Sequence, residues 1–453
     1  MDYQKCLQNY SRWASKDEIS ASLHKIKRTD VNSTYGGIPL YSDDENIYVE
    51  HSDSHSLIIG STGSKKTRLI GMPALQMYIK GGESFIATDP KAELYEKTYP
   101  LLKEQDYDIF VLNLREPKHS NSWNPFDLPY KLYINEQKEE AIKCITDMAD
   151  CICKTNILND SYWQNSSSNL LTGFILTLFE CAKENEINLF SLRNMRNQSF
   201  KKENDSTFIC DKFLHKLDSS TYIYSLLCGT VDVCTETQSC IISYFDQALK
   251  PFLSNDTLIK ILSSNDLDMR SIGKKKTAVF LIIPDETTIY HPLITVFVKQ
   301  CYNSLIQEAQ KNKNKKLAVR VNFLLDEFST LPVIGDFPAM ITASRSRNIR
   351  FNLLIQSYNQ LTKKYGREAE TIKGNCENII FLHSRELEVL NEIVGLSGKK
   401  VNEESLTSVS MLQTLDKNKG EVFILHKRLN PYIANLPDID TITKPRSGKQ
   451  NIV

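Results

Sequence analysis

The chain has 453 residues, a length that suits two or three domains rather than one small core. Lys and Arg number 55, as do Asp and Glu, so there is no bulk positive charge, and contact with nucleic acid requires a local basic patch. The 11 cysteines show no zinc-ligand spacing, and no run reaches the ~18 apolar residues of a membrane helix. Composition therefore predicts a globular cytoplasmic protein with reduced thiols.

Strands and helices alternate in the first part of the chain. A polar lead segment, residues 1–34, is expected to be largely helical over its first thirty residues. Apolar runs predict strands at residues 56–59, 84–88 and 108–113, and helical spacing follows the first strand at residues 69–78. Because such alternation produces a mostly parallel sheet with helices on both faces, the predicted fold class is α/β.

The middle of the chain is helical in pattern from about residue 135 to residue 268. We therefore predict an all-α domain, residues 155–270, inserted into an α/β domain that comprises residues 35–154 and 271–453. Strand patterns resume after the insertion at residues 277–283, 321–325, 351–355, 378–382 and 421–425.

A Gly- and Ser-rich loop joins the first predicted strand to the helix that follows it. The loop residues are Gly60, Ser61, Thr62, Gly63, Ser64, Lys65, Lys66 and Thr67. In this context, successive backbone N–H groups and the helix N-terminus face the phosphates of a nucleotide. Lys66 is placed to reach the β- and γ-phosphates, and the Thr67 hydroxyl to ligate Mg²⁺. The loop predicts an ATP and Mg²⁺ site.

The loop departs from the usual pattern at Lys65, where glycine normally precedes the phosphate-binding lysine. Glycine suits this position because the backbone approaches the phosphates closely and adopts unusual φ values. Two interpretations remain open. Either Lys65 points away and the loop binds nucleotide, which the remaining loop chemistry favours, or the loop is distorted and catalysis is weak or lost.

Two adjacent acids, Asp326 and Glu327, end the apolar strand at residues 321–325. In P-loop ATPases the first acid of such a pair holds Mg²⁺, directly or through water, and the second orients and deprotonates the attacking water. Asp326 is therefore the predicted metal ligand, and Glu327 the predicted general base.

Two later residues complete the predicted site. Arg345 could be supplied to the γ-phosphate of a neighbouring subunit, which requires an oligomeric ring. The alternative is a surface arginine favoured by the dipole at a helix C-terminus. Gln356 follows a predicted central strand and could sense the γ-phosphate, or it could merely cap the next helix.

At this point several segments resemble one family, the coupling ATPases of conjugation and type IV secretion. The resemblance runs from about Arg12 to Pro437. It is carried by residues Asp89–Tyr95, Ser122–Pro125, Leu324–Phe328, Ser344–Arg347 and Leu354–Ser357. It implies a hexameric ring of RecA-like domains with an all-α insertion, and it assigns the phosphate, metal, water, finger and sensor roles to the residues named above. Ala92 departs from the glycine that usually follows Asp-Pro-Lys in this family.

The resemblance also implies partners. A ring of this family receives a relaxase–DNA complex at a secretion channel and drives or licenses its export. Family members usually carry N-terminal membrane helices, and this chain shows none. A truncated chain and a natural membrane-free form both remain open, and recruitment to the inner face of the cell membrane then requires a partner. The ring could also dissociate to monomers without substrate.

Three classes of function follow from these patterns. The first is a DNA-stimulated ATPase, with Lys363 and Lys364 among the candidates for contact with DNA. The second, motivated by Lys65, is a nucleotide-binding substrate receptor with little or no turnover. The third is a different P-loop enzyme, such as a chromosome-partition translocase or a small-molecule kinase, although no acceptor pocket is identifiable.

Overall fold

The computed structural model describes residues 10–154, 161–201, 208–253, 255–284, 286–401 and 403–442. Its strands are β1 (His24–Lys27), β2 (Pro39–Ser42), β3 (Asn46–Val49), β4 (Ser56–Gly60), β5 (Ser84–Thr88), β6 (Asp108–Asn113), β7 (Thr277–Ile282), β8 (Val321–Leu325), β9 (Ile349–Ile355), β10 (Asn378–His383), β11 (Glu421–His426) and β12 (Tyr432–Asn435). Its helices are α1 (Lys16–Ser22), α2 (Met72–Lys80), α3 (Glu93–Glu104), α4 (Asp127–Ile134), α5 (Lys138–Cys153), α6 (Ser161–Cys181), α7 (Leu189–Ser199), α8 (Ile209–Leu214), α9 (Tyr222–Val231), α10 (Thr235–Leu253), α11 (Asp256–Ile261), α12 (His291–Lys311), α13 (Phe337–Ser344), α14 (Tyr358–Tyr365), α15 (Glu368–Asn375), α16 (Leu387–Ser397), α17 (Val409–Gln413) and α18 (Ile439–Ile442).

A nine-stranded sheet forms the centre of the molecule, in the order β12-β11-β10-β4-β9-β8-β5-β7-β6. The seven strands from β10 to β6 in this order pair in parallel, and β11 and β12 continue the sheet in antiparallel fashion. The predicted α/β class with a mostly parallel sheet is confirmed. Because the seven strands are parallel, their carboxyl ends lie along one edge, where ligands bind in such sheets.

Helices cover both faces of the sheet, and its strands are largely buried and mostly apolar. All five residues of β4 are buried. Leu57 and Ile59 belong to the larger apolar cluster, whereas Ile58 between them belongs to a second cluster. This alternation follows from the two-residue period of a strand. The continuous apolar runs that predicted the strands reflect burial on both faces.

Helices α4 to α11 all lie between β6 and β7 in the chain, with no strand among the described residues of that stretch. Helix α5 packs against both α6 and α12, so the helical region shares its core with the sheet. The division at residues 155 and 270 therefore stays a prediction, and residues 155–160 lie outside the described residues. None of the helices described is long and apolar enough to cross a membrane.

The lead segment is only partly helical. Residues 1–9 lie outside the described residues, and α1 is a short helix that begins after the N-cap Ser15. The expectation of helix is wrong at β1, which pairs with β3 in a three-stranded antiparallel sheet. The physical reason is tertiary, because Ile26 of β1 packs with Ile47, Val49 and Met77 in a small separate core.

Candidate active site

The predicted phosphate loop follows β4 at the carboxyl edge of the sheet. A hydrogen bond joins the loop to β10, the strand beside β4 in the sheet: the Ser61 N–H donates to the His383 carbonyl at 2.8 Å. Gly60 is required by space, since a Cβ there would lie 2.3 Å from Ser64 Oγ. Gly63 is required by its backbone, which has φ +76°. Both glycines therefore have a physical reason in the loop.

The loop holds Lys66 and Thr67 at its inner side. Lys66 is 7% exposed, and its ammonium group donates to the Gly60 carbonyl. Ser64 is also buried, and its hydroxyl has no hydrogen-bond partner among the described residues. A buried hydroxyl beside a buried ammonium inside a glycine-containing loop fits a phosphate group.

The two motifs of the sequence meet at this loop. Thr67 Oγ1 donates to Asp326 Oδ2 at 3.1 Å, although 259 residues separate them in the chain. Burial raises the pKa of Asp326, and the neighbouring Glu327 carboxylate raises it further, whereas Lys66 opposes the rise. Hydroxyl and carboxylate oxygens are the ligands that Mg²⁺ prefers, and a divalent cation would relieve the repulsion between these acids. The residues present therefore fit a magnesium ion.

Gln356 bridges the loop and the acid pair. It follows β9, the strand between β4 and β8, so it lies between the two motifs. Gln356 Nε2 donates to Glu327 Oε2 at 2.7 Å, and Thr62 Oγ1 donates to Gln356 Oε1 at 3.2 Å. The Gln356 side-chain amide is thus hydrogen-bonded to both the phosphate loop and the acid pair, as a sensor of the γ-phosphate would require. Ser357, not Gln356, is the N-cap of α14.

Lys65 adopts the conformation that the missing glycine would adopt, with φ +66°. A left-handed backbone costs a residue with a Cβ about 1–2 kcal/mol. The side chain points away from Lys66, because Lys65 Nζ lies 3.4 Å from Asn418 Oδ1 and 3.8 Å from Asp438 Oδ2. The loop therefore keeps the glycine-like backbone with the lysine side chain turned outward.

Arg345 lies away from this constellation. It precedes β9, whereas Gln356 follows the same strand, and a strand of seven residues is roughly 20 Å long. Arg345 pairs instead with Glu377, which precedes β10, at 2.8 Å. Arg345 cannot reach the phosphate loop of its own subunit, so a role toward a neighbouring subunit and that of a surface arginine at a helix C-terminus both remain compatible with this geometry.

Asp89 lies at the same edge of the sheet as Asp326, and in the sequence it stands out only as the start of the segment Asp89–Tyr95 that carries the family resemblance. It follows β5, is 2% exposed, and accepts the Tyr95 N–H at 2.9 Å. Burial raises the pKa of Asp89 to about 6, and the negative charge of Asp326 contributes. Its neighbour Thr88 donates to the Asp326 carbonyl at 3.0 Å. The sequence signal that could have identified Asp89 is its position, because it follows the carboxyl end of a predicted strand just as Asp326 and Glu327 do.

Comparisons with known proteins agree with this architecture. The family model described as "Type IV secretory system Conjugative DNA transfer" matches residues 12–422. The protein VirD4 of Rhizobium rhizogenes is 23% identical over 421 residues, which cover 90% of this chain and 59% of VirD4. The chain thus spans about three-fifths of the length of that relative.

Solved structures show the same fold. Plasmid coupling protein TrwB in complex with the ATP analogue ADPNP has a TM-score of 0.66 at 15% identity, over 94% of this chain and 93% of that one. TrwB in complex with ADP and Mg²⁺ has the same TM-score, identity and coverage. The family match covers most of the chain, and this chain belongs to the type IV coupling protein family of conjugative DNA transfer.

Proposed function

We propose that this chain binds ATP and Mg²⁺ at the Gly60–Thr67 loop and hydrolyses ATP to drive or license conjugative DNA transfer. The observation that carries the proposal is the hydrogen bond between Thr67 and Asp326, which brings the phosphate loop and the acid pair to one place. The structures of TrwB with ADPNP and with ADP and Mg²⁺ support this assignment by analogy of fold.

The chemistry follows from the positions of the side chains. The loop N–H groups and Lys66 bind the phosphates, and Thr67 and Asp326 hold Mg²⁺. The bound cation supplies positive charge to the oxygens of the transferred phosphoryl group. Glu327 accepts the proton of the attacking water, and the Gln356 amide fixes the orientation of that carboxylate.

The decisive experiment measures ATP hydrolysis with and without single-stranded DNA. Glu327→Gln should retain nucleotide binding and lose turnover by about 10²–10⁴-fold, the usual contribution of a general base. Glu139→Gln, at an exposed position of α5, is the matched control and should leave turnover unchanged. Turnover in Glu327→Gln equal to that of the wild type would refute the assignment. Absence of turnover in the assembled wild type under every DNA condition would exclude a motor.

Arg345 is proposed to act in trans within a ring, the predicted homo-hexamer. Its side chain is 39% exposed, and an exposed ion pair such as Arg345–Glu377 is worth at most about 1 kcal/mol, so a neighbouring γ-phosphate can compete for the guanidinium. Mixing Arg345→Ala with wild-type chains should lower turnover more than in proportion to the mutant fraction. A strictly proportional fall would contradict a role in trans. Sedimentation velocity with ATP and DNA should show hexamers, and persistent monomers would refute the ring.

The proposed partners are DNA, a relaxase and the secretion channel, with recruitment to the inner face of the membrane by another protein. Of the two lysines considered for DNA, Lys363 is exposed. Lys364 is partly buried, and its ammonium donates to the Leu331 carbonyl in the segment that follows Glu327. Burial lowers the pKa of Lys364 to about 8. Lys363→Ala should therefore weaken DNA binding more than Lys364→Ala, as measured by fluorescence anisotropy at low salt.

A second candidate function is a nucleotide-responsive receptor with weak turnover. The observation that favours it is the left-handed backbone of Lys65 in the phosphate loop. Lys65→Gly discriminates between the two functions. A large gain in turnover would indicate that the natural loop is impaired and support the receptor, whereas unchanged turnover would remove the reason for proposing it.

A further inference from the structure

Two segments near the end of the described chain form one unit beside the phosphate loop, which we call the clasp. The clasp consists of the turn at residues 416–420 and the segment 436–440. The Leu436 N–H donates to the Gly420 carbonyl at 2.8 Å. Gly420 has φ +72°, and a Cβ there would lie 2.0 Å from the Leu436 carbonyl oxygen. The two segments are therefore in direct backbone contact and position each other.

The turn of the clasp contacts the phosphate loop directly. The Lys417 ammonium donates to the Gly63 carbonyl at 3.1 Å. Asn418 Oδ1 lies 3.4 Å from Lys65 Nζ. These contacts exist because β11 runs antiparallel to β10, which places the start of β11 at the same edge of the sheet as the loop.

Asp438 connects the clasp to the residues on both sides of Lys66 and Thr67. Arg68 donates to it through Nε at 3.1 Å and through a terminal nitrogen at 2.5 Å, and the Lys65 ammonium lies 3.8 Å from it. Burial raises the pKa of Asp438, but the hydrogen bonds from Arg68 and from the Asp440 N–H, together with the positive charges of Arg68 and Lys65, outweigh burial and lower it. Asp440 pairs with Arg68 as well. A carboxylate thus bridges the residues that immediately flank Lys66 and Thr67.

The position of Asp438 matters because of the residue it contacts. Lys65 has a backbone conformation that glycine adopts freely and lysine resists. Such a conformation persists only when the surrounding structure determines it. We propose that Asp438 is a positioning residue of the nucleotide site, which fixes Lys65 and Arg68 and so compensates for the glycine that the loop lacks. This inference rests on the proposed binding of nucleotide at this loop.

A double-mutant cycle tests the inference. Mg²⁺ and a fluorescent N-methylanthraniloyl ATP are titrated into the wild type, Asp438→Asn, Lys65→Gly and the double variant. Asp438→Asn should weaken binding about tenfold in the wild-type background and less than about threefold in the K65G background, a coupling expected only for groups that act together. Asp438→Asn removes the contacts with Arg68 in both the wild-type and the K65G backgrounds, so their loss cancels in the coupling free energy. Equal weakening in the two backgrounds would overturn the proposal.

Two further measurements make the result unambiguous. Asp246→Asn removes a similar paired contact, in which Asp246 accepts from Arg196 between two helices of the helical region, and it should change the nucleotide Kd by less than about twofold. If the wild type binds no nucleotide, the proposed function fails, and the same cycle is measured on the Tm of the nucleotide-free chain. Asp438→Asn must then lower the Tm more in the wild-type background than in the K65G background, and equal losses overturn the inference.

Discussion

Asp89 is expected to cost the folded chain stability near neutral pH, and Asp89→Asn should remove that cost. The carboxyl is almost fully buried after β5, and burial raises its pKa from 3.8 to about 6. Asparagine keeps an oxygen to accept the Tyr95 N–H that Asp89 accepts, and it carries no charge. The substitution therefore removes the ionisation of this position and replaces one carboxylate oxygen with an amide nitrogen.

The magnitude follows from the pKa of Asp89. A rise of about two units corresponds to roughly 3 kcal/mol at about 1.4 kcal/mol per unit. Because the folded-state pKa lies above that of the unfolded chain, the unfolded chain ionises first as the pH rises. The penalty is therefore absent below about pH 4, grows between about pH 4 and pH 6, and is constant above that range. Asp89→Asn should gain up to about 3 kcal/mol near neutral pH and almost nothing in acid.

The assay is urea unfolding of the wild type and Asp89→Asn at several values from about pH 4 to about pH 8. Asp232→Asn, an exposed acid, is the control and should shift stability by less than about 0.5 kcal/mol at every pH. A variant that is less stable than the wild type near neutral pH, or a gain that increases as the pH falls, would refute the reasoning.

The same substitution should impair function. A buried acid that costs stability is expected where activity requires it, and Asp89 lies beside Asp326 at the proposed Mg²⁺ site. Asp89→Asn should therefore raise the Mg²⁺ concentration needed for half-maximal ATP turnover. A variant that is more stable and equally active at every Mg²⁺ concentration would show that Asp89 has no part in the site.

Three other predictions concern the loop and the core. Glu83→Gln leaves the guanidinium of Arg350, which is 2% exposed, without its carboxylate, and should lower the free energy of unfolding by about 3–5 kcal/mol in urea titrations. Gly60→Ala places a Cβ 2.3 Å from Ser64 Oγ, and should weaken nucleotide binding at least about tenfold by fluorescence titration. Burial lowers the pKa of His55 from 6.5 to about 4, so the wild type should lose stability as the pH falls through this interval, and His55→Gln should lose less.

The sequence predicted the sheet and the meeting of the two motifs because both depend on local patterns. Strands buried on both faces are continuous apolar runs, and β4, β5, β6 and β8 begin where those runs begin. Parallel strands place their carboxyl ends at one edge, so a loop after one strand and acids after another are brought together by topology. No residue-by-residue information about packing was needed for that prediction.

Other features depend on distant parts of the chain and left no local signal. The contact between Arg68 and Asp438 joins residues 370 apart and arises only because β11 and β12 extend the sheet past the loop. The pKa of Asp89 depends on burial that a sequence does not display. The short strand β1 escaped prediction because its four residues contain one apolar side chain, Ile26, and a separate small core determines its conformation.

Three residues with side chains adopt left-handed backbones around the proposed triphosphate position: Lys65 at φ +66°, Ala92 at φ +60° and Glu327 at φ +53°. Each is held by different contacts. Lys65 contacts the clasp, Ala92 donates its N–H to the Asp89 carbonyl at 3.4 Å, and Glu327 accepts from Gln356. Strain of this kind persists only where the surroundings impose it, so contacts within the protein hold these three backbones. Lysine at position 65 is then compatible with a working site, because the contacts that impose its conformation lie outside the loop.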